Sequence, residues 1–251
     1  MVPFDFELDW EYWRYLPEGV SLYFTRTPFL NQPVGMRLAR DVGNPKVVAR
    51  ATRALNSLNP AVTLYACSSG SFVRGLAGEE ALRAAMVAAG ARAAVTTSGA
   101  MIDAFKAAGA RKIALATPYT QRLTASLADF VEEAGFEAVS VHCLGLSSGI
   151  GTVSRTTIAN LVRQTGWPEA DAVFVSCTAL RTHGIVAMLE QELHCPVFTS
   201  NQVSLWAALD AAGALIPDDG ETPVLGDGHP MARSTSLLLE ASRTGRLQRA
   251  G

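Results

Sequence analysis

No apolar stretch in the 251 residues approaches the roughly 20 needed to cross a bilayer, which excludes a membrane-spanning helix. Charge is scarce as well. Only 18% of residues are charged, and 21 basic against 23 acidic side chains leave a formal net charge of −2 with no long block of one sign. That excludes a basic face for nucleic acid or an anionic membrane and leaves a small molecule or another protein as partner. Cysteine is limited to four residues, too few for a disulfide scaffold and without the paired short spacing of a zinc site. No G-x-G-x-x-G follows a strand, and no lysine follows a glycine-rich loop, so no motif announces a nucleotide cofactor. The start, "MVPFDFELDWEYW", is acidic and aromatic rather than a basic leader, and the expected location is cytoplasmic.

What the chain has in quantity is apolar surface, at 49% of residues, enough for a substantial core. Short runs rich in Val, Ile and Leu alternate with longer alanine-rich stretches of helical spacing, which predicts βαβ units and parallel sheets. The predicted strands are Val20–Phe24, Val62–Ala66, Ala93–Thr96, Lys112–Ala116, Ala138–His142, Ala172–Ser176 and Pro196–Thr199. Helices are predicted at Pro45–Leu58, Glu79–Ala89, Gly99–Ala108, Thr120–Ala134, Ser154–Gln164 and His183–Glu192, with Gly135 closing one of them. A loop and a helix at the C-terminal end are expected to cross back over the first half, with a frayed tail.

The chain also repeats itself. "RKIALATPYTQRLTASLADFVEEAGFEAVSV" reads strand, Pro118, helix, glycine, strand, and "VPFDFELDWEYWRYLPEGVSLYFTR" follows the same order from Pro3. Cys67 in "LYACSSGSFVRG" and Cys177 in "VFVSCTALRTHG" then end equivalent strands, 110 residues apart. In this register the counterpart of Lys112–Ala116 has no residues, so the first-half sheet is expected to lack or shorten that strand. The division expected is residues 1–97 plus 207–251 for one half and 98–206 for the other.

In open parallel sheets the ligand crevice lies beyond the carboxyl ends of the strands, where backbone N–H groups converge. Both cysteines fall there. Cys67 precedes Ser68, Ser69, Gly70 and Ser71, a donor-rich setting that favours a thiolate. Cys177 is followed by Thr178, and Tyr119 in "ATPYT" offers a phenol to the same crevice. His183 and Asn201 are secondary candidates, Arg26 reads as a structural ion-pair residue, and Cys143 and Cys195 lack the strand-end context.

These residues together, Cys67, Cys177-Thr178, "ATPY" and "PVFTSNQ", resemble the aspartate/glutamate racemase superfamily, and within it the branch of maleate cis-trans isomerases and arylmalonate decarboxylases. "WRYLPEGVSLYFTRTP" and "ACSSGSFVRG" are also similar to a subgroup of ectoine-utilisation proteins. The resemblance implies an α/β fold of two pseudo-symmetric halves, each a short parallel sheet flanked by helices, with the active site between them. It implies no metal and no organic cofactor, and a small carboxylic acid as substrate; a homo-oligomer is left open. By the same resemblance Cys67 is the nucleophile, Cys177 the acid and base on the opposite face, and Ser68, Ser69, Tyr119 and Thr178 hold a substrate carboxylate. Two departures concern maleate: asparagines expected near "PFDFE", where Asp5 is the nearest polar residue, and in "LSSGIG" are absent. The decarboxylases keep only the second cysteine, so Cys67 points towards isomerisation. A two-thiol racemase of amino or hydroxy acids, a decarboxylase and a non-catalytic acid-binding protein remain as alternatives.

Overall fold

The computed structural model describes residues 6–165, 168–215 and 233–244. Its strands are β1 (Thr63–Tyr65), β2 (Ala94–Thr96), β3 (Lys112–Tyr119), β4 (Glu137–Leu146), β5 (Ala172–Val175) and β6 (Val197–Thr199). Among the described residues β1 and β2 pair in parallel as one sheet, and the other four form a second parallel sheet in the order β4-β3-β5-β6. The helices are α1 (Glu7–Tyr15), α2 (Met36–Val42), α3 (Pro45–Leu55), α4 (Ser68–Phe72), α5 (Gly75–Ala88), α6 (Thr97–Ala108), α7 (Gln121–Glu133), α8 (Arg155–Thr165), α9 (Val186–Leu193), α10 (Ser200–Ala212) and α11 (Arg233–Arg243). The fold is α/β, with two similar halves that each carry a parallel sheet flanked by helices.

Local chemistry explains the joints. Thr96 and Thr199 end strands in extended backbone, and their hydroxyls accept from the N–H groups of Gly99 and Gln202, so β2 and β6 turn into α6 and α10 through the same cap. Gly135, at φ +88°, closes α7 in the left-handed conformation that the sequence predicts for it. Strand β3 is buried from Ile113 to Tyr119, as its unbroken apolar run requires of a central strand. Phe105 of α6 anchors the core beside it. Its ring stands edge-on to Phe136 and Phe174 at 5.3 and 5.6 Å between centroids, and tilted to Phe198 at 6.4 Å. Phe105→Ala is expected to cost about 3–5 kcal/mol of stability, read from the urea midpoint at constant m-value.

Two expectations need correction. Residues 20–24 carry no ladder. In the second sheet β3 lies between β4 and β5, and no described residue fills the matching position between residues 20–24 and β1. An apolar cavity of about 330 Å³ lies there instead, lined by Val20, Leu22, Phe24, Val62 and Leu64 and closed by α10. A strand exists through its hydrogen-bonded neighbour, so this segment stays unpaired. Second, the helix predicted from His183 begins at Val186, because residues 177–185 are held in turns by bonds described below. Helix α11 lies on α6 and beside β6. Gln202 donates to Ser234 and Thr235, and Trp206 donates to the Leu238 carbonyl, which fixes its place. The tail past Thr244 lies outside the described residues.

Candidate active site

Strand β1 delivers Cys67 to the N-cap of α4, where its Sγ accepts from the Gly70 N–H at 3.4 Å, with the Ser69 hydroxyl at 4.0 Å. The contact requires glycine. A Cβ on Gly70 would stand 2.3 Å from the Tyr65 hydroxyl and 3.1 Å from Cys67 Sγ. Tyr65 cannot retreat freely, because it donates to the Val42 carbonyl at 2.8 Å. Ser71 donates to the Cys67 carbonyl at 2.7 Å and meets Ser98 at 2.7 Å, tying the loop to the start of α6.

The second cysteine follows β5. Cys177 has φ +110°, a region that residues with a Cβ rarely occupy, at a cost of about 1–3 kcal/mol. Its surroundings enforce that conformation. The Ser176 N–H donates to Ala116 at 2.9 Å, the Leu180 N–H to the Cys177 carbonyl at 3.2 Å, and the Asn201 amide to the Thr178 carbonyl at 3.0 Å. The Cys177 N–H donates to Ser200 Oγ at 3.0 Å, and that oxygen also accepts from Ser68 Oγ at 2.9 Å. One buried hydroxyl at the start of α10 therefore joins the two cysteine loops.

Tyr119, the last residue of β3, is 2% exposed with its hydroxyl 3.4 Å from Ser176 Oγ. Burial pushes its pKa well above 10, and negative charge on Cys177 and on Cys67 acts in the same direction. The phenol thus stays neutral, beside Ser176.

The structure places Cys67, Ser68 and Ser69 at the N-terminal end of α4 and Cys177 and Thr178 in the turn after β5, with Tyr119 beside Ser176. His183 lies ahead of α9, its ring near Trp10 and Tyr15 at 5.9 and 5.2 Å. Arg26 pairs with Asp9 and stacks on Phe6 and Phe24, a structural role. Cys143 lies in the edge strand β4, and burial pushes the Cys195 thiol up, away from the reactive form. Asp5 lies outside the described residues. Sequence reasoning missed Ser200 and Glu11. Ser200 follows a strand end as Ser68 nearly does, which is a usable signal; Glu11 has none, since an acid on an amphipathic helix reads as solvated. Among the described residues no group of three or more His, Cys, Asp or Glu could hold a metal ion, and no helix is long and apolar enough to cross a membrane.

Two parallel-sheet halves with a cysteine after an equivalent strand in each define the aspartate/glutamate racemase superfamily. The family model described as arylmalonate decarboxylase matches residues 15–224, and the chain belongs to that family, in the branch shared with the maleate isomerases. It is 29% identical to the arylmalonate decarboxylase of Bordetella bronchiseptica over 204 residues, which covers 78% of this chain and 84% of that one. It is 27% identical to the maleate isomerase of Nocardia farcinica over 177 residues, covering 64% and 70% respectively. A solved structure of a Nocardia farcinica maleate cis-trans isomerase, a cysteine-to-serine mutant with a covalently bound succinylcysteine intermediate, superposes with a TM-score of 0.76 at 20% identity, over 84% of this chain and 90% of that one.

Proposed function

We propose that the protein is a cofactor-independent isomerase of a small unsaturated carboxylic acid, with Cys67 and Cys177 acting from opposite faces of the substrate. The observation that carries this is the Ser200 hydroxyl, which couples the two cysteine-bearing segments at 2.9 and 3.0 Å and so supports two thiols acting as a pair. In this mechanism the Cys67 thiolate adds to one alkene carbon, forming a C–S bond. The π electrons move to the neighbouring carbon, which takes a proton from the Cys177 thiol. The former double bond rotates; Cys177 takes the proton back, the double bond re-forms and the C–S bond breaks. Ser68, Ser69, Tyr119 and Thr178 hold the carboxylate that carries enediolate charge between these steps. The succinylcysteine in the Nocardia farcinica isomerase mutant is the adduct such an addition gives with maleate, and it supports this route.

Incubation of a panel of small mono- and dicarboxylates in deuterated water, followed by NMR, tests the proposal. Interconversion of alkene geometry is expected, whereas α-deuteration of both enantiomers of a saturated acid would identify a racemase instead. Maleate is expected to be a poor member of the panel, because the asparagines that would grip a second carboxylate are absent. Each missing charged hydrogen bond is worth about 1.5–3 kcal/mol, roughly 10- to 150-fold in kcat/KM. Turnover of maleate to fumarate at roughly 1–1000 per second would show that those amides do not matter. Tyr119→Phe should lower kcat on the order of 10²-fold, the usual effect of removing one oxyanion donor.

A decarboxylase is the second reading, favoured by the family match and by the 29% identity to arylmalonate decarboxylase. Carbon dioxide release from an arylmalonate, measured on the same preparation, separates it from the isomerase.

A further inference from the structure

Glu11 has no place in the chemistry above, and its surroundings are unusual for a carboxylate. It lies on α1, far in sequence from either cysteine, and is wholly buried. Oε1 accepts from the Thr182 N–H at 3.0 Å, from Thr182 Oγ1 at 2.7 Å and from the His183 N–H. Oε2 accepts from the Asn201 amide at 2.6 Å, and that same nitrogen donates to the Thr178 carbonyl at 3.0 Å. Glu11 thus holds the far end of the Cys177 loop directly and, through Asn201, the residue after Cys177. No lysine or arginine of the described residues pairs with it.

Burial raises the pKa of Glu11 even though its hydrogen bonds to Asn201, Thr182 and His183 all pull it down. An ionised carboxylate in this position therefore costs the fold stability through its desolvation. Such a residue is poorly explained by stability alone. The segment it holds adjoins the strained residue, Cys177 at φ +110°.

We propose that Glu11 is a positioning residue, which clamps residues 178–183 and through them sets the orientation of the Cys177 thiol towards the substrate. This rests on the two-thiol reading of the site. Glu11→Gln keeps the shape of the side chain but turns an acceptor into a donor opposite the Asn201 amide. Thr182→Val removes one donor from the other side of the same contact and leaves the carboxylate in place.

The test compares both variants with the wild-type protein in three measurements: kcat and KM on the best acid of the panel, alkylation rates of Cys67 and Cys177 by iodoacetamide resolved by peptide mass spectrometry, and Tm. Glu11→Gln is expected to lose roughly 10- to 100-fold in kcat with KM within about threefold, as a thiol displaced by about an ångström would. Its Tm should stay within about 4 °C of wild type. The Cys177 alkylation rate should change by about threefold or more while that of Cys67 holds. Thr182→Val should show the same pattern at smaller amplitude, and it decides the matter if Glu11→Gln does not fold. A folded variant with wild-type kcat and an unchanged ratio of Cys177 to Cys67 alkylation overturns the proposal, as does a loss of Tm with full activity in the folded fraction. Wild-type protein inert towards every acid would remove the two-thiol reading instead, and the alkylation measurement, which needs no substrate, would still decide the role of Glu11.

Discussion

Cys67→Ala is expected to abolish alkene isomerisation, by roughly 10⁴-fold or more, while the protein remains folded. The addition step has no substitute nucleophile, and loss of a covalent nucleophile removes nearly all the rate that its site supplies. The fold should tolerate the change. Cys67 is a small side chain in the buried cluster that also holds Tyr65 and Leu82, and alanine removes one sulfur and one capping contact, at about 1 kcal/mol. The variant also separates the two readings of the site. Decarboxylation needs only the thiol that protonates, so Cys67→Ala that still releases carbon dioxide from an arylmalonate, or still exchanges an α-proton, would identify one-thiol chemistry at Cys177 and overturn the addition mechanism. Loss of every activity together would be the expected result for a nucleophile.

What the sequence discloses and what it hides divide along a physical line. Runs such as Ile113–Ala116 and Val173–Val175 declare buried parallel strands, because a strand covered on both faces has no polar side to show. The strand-end positions of the two cysteines are equally legible, since the repeat needs only residue order. Residues 20–24 show the limit: their Val, Leu and Phe content is that of a strand, but a strand is a relation between two segments, and no described residue forms a ladder with them. Ser200 and Glu11 are hidden for a related reason. A serine at a helix start and a glutamate on a helix have local explanations, and only the assembled fold brings Ser68 and Cys177 to the one and Thr182, His183 and Asn201 to the other. Nothing in "SCTAL" announces a positive φ, because the strain at Cys177 is imposed by partners distant in sequence.

That strain leads to the second large effect. Cys177→Ala and Cys177→Gly should both lose roughly 10²–10⁴-fold in turnover, the range expected when the group that gives and takes the proton is removed. They should differ in stability. Alanine keeps a Cβ at φ +110° and with it the cost of about 1–3 kcal/mol, whereas glycine adopts that backbone freely. Glycine gives back about 0.5–1 kcal/mol through the greater freedom of the unfolded chain, so Cys177→Gly should be the more stable variant by about 1 kcal/mol. For a domain of this size that is a Tm about 2–4 °C higher than that of Cys177→Ala. Paired thermal melts and the proton-exchange assay on the same samples check both halves. An inactive glycine variant more stable than alanine would identify position 177 as one where the thiol is kept at the expense of the fold. A glycine variant no more stable than alanine would show that the loop relaxes once the sulfur is gone, and that the thiol rather than residues 178–183 holds the backbone in place.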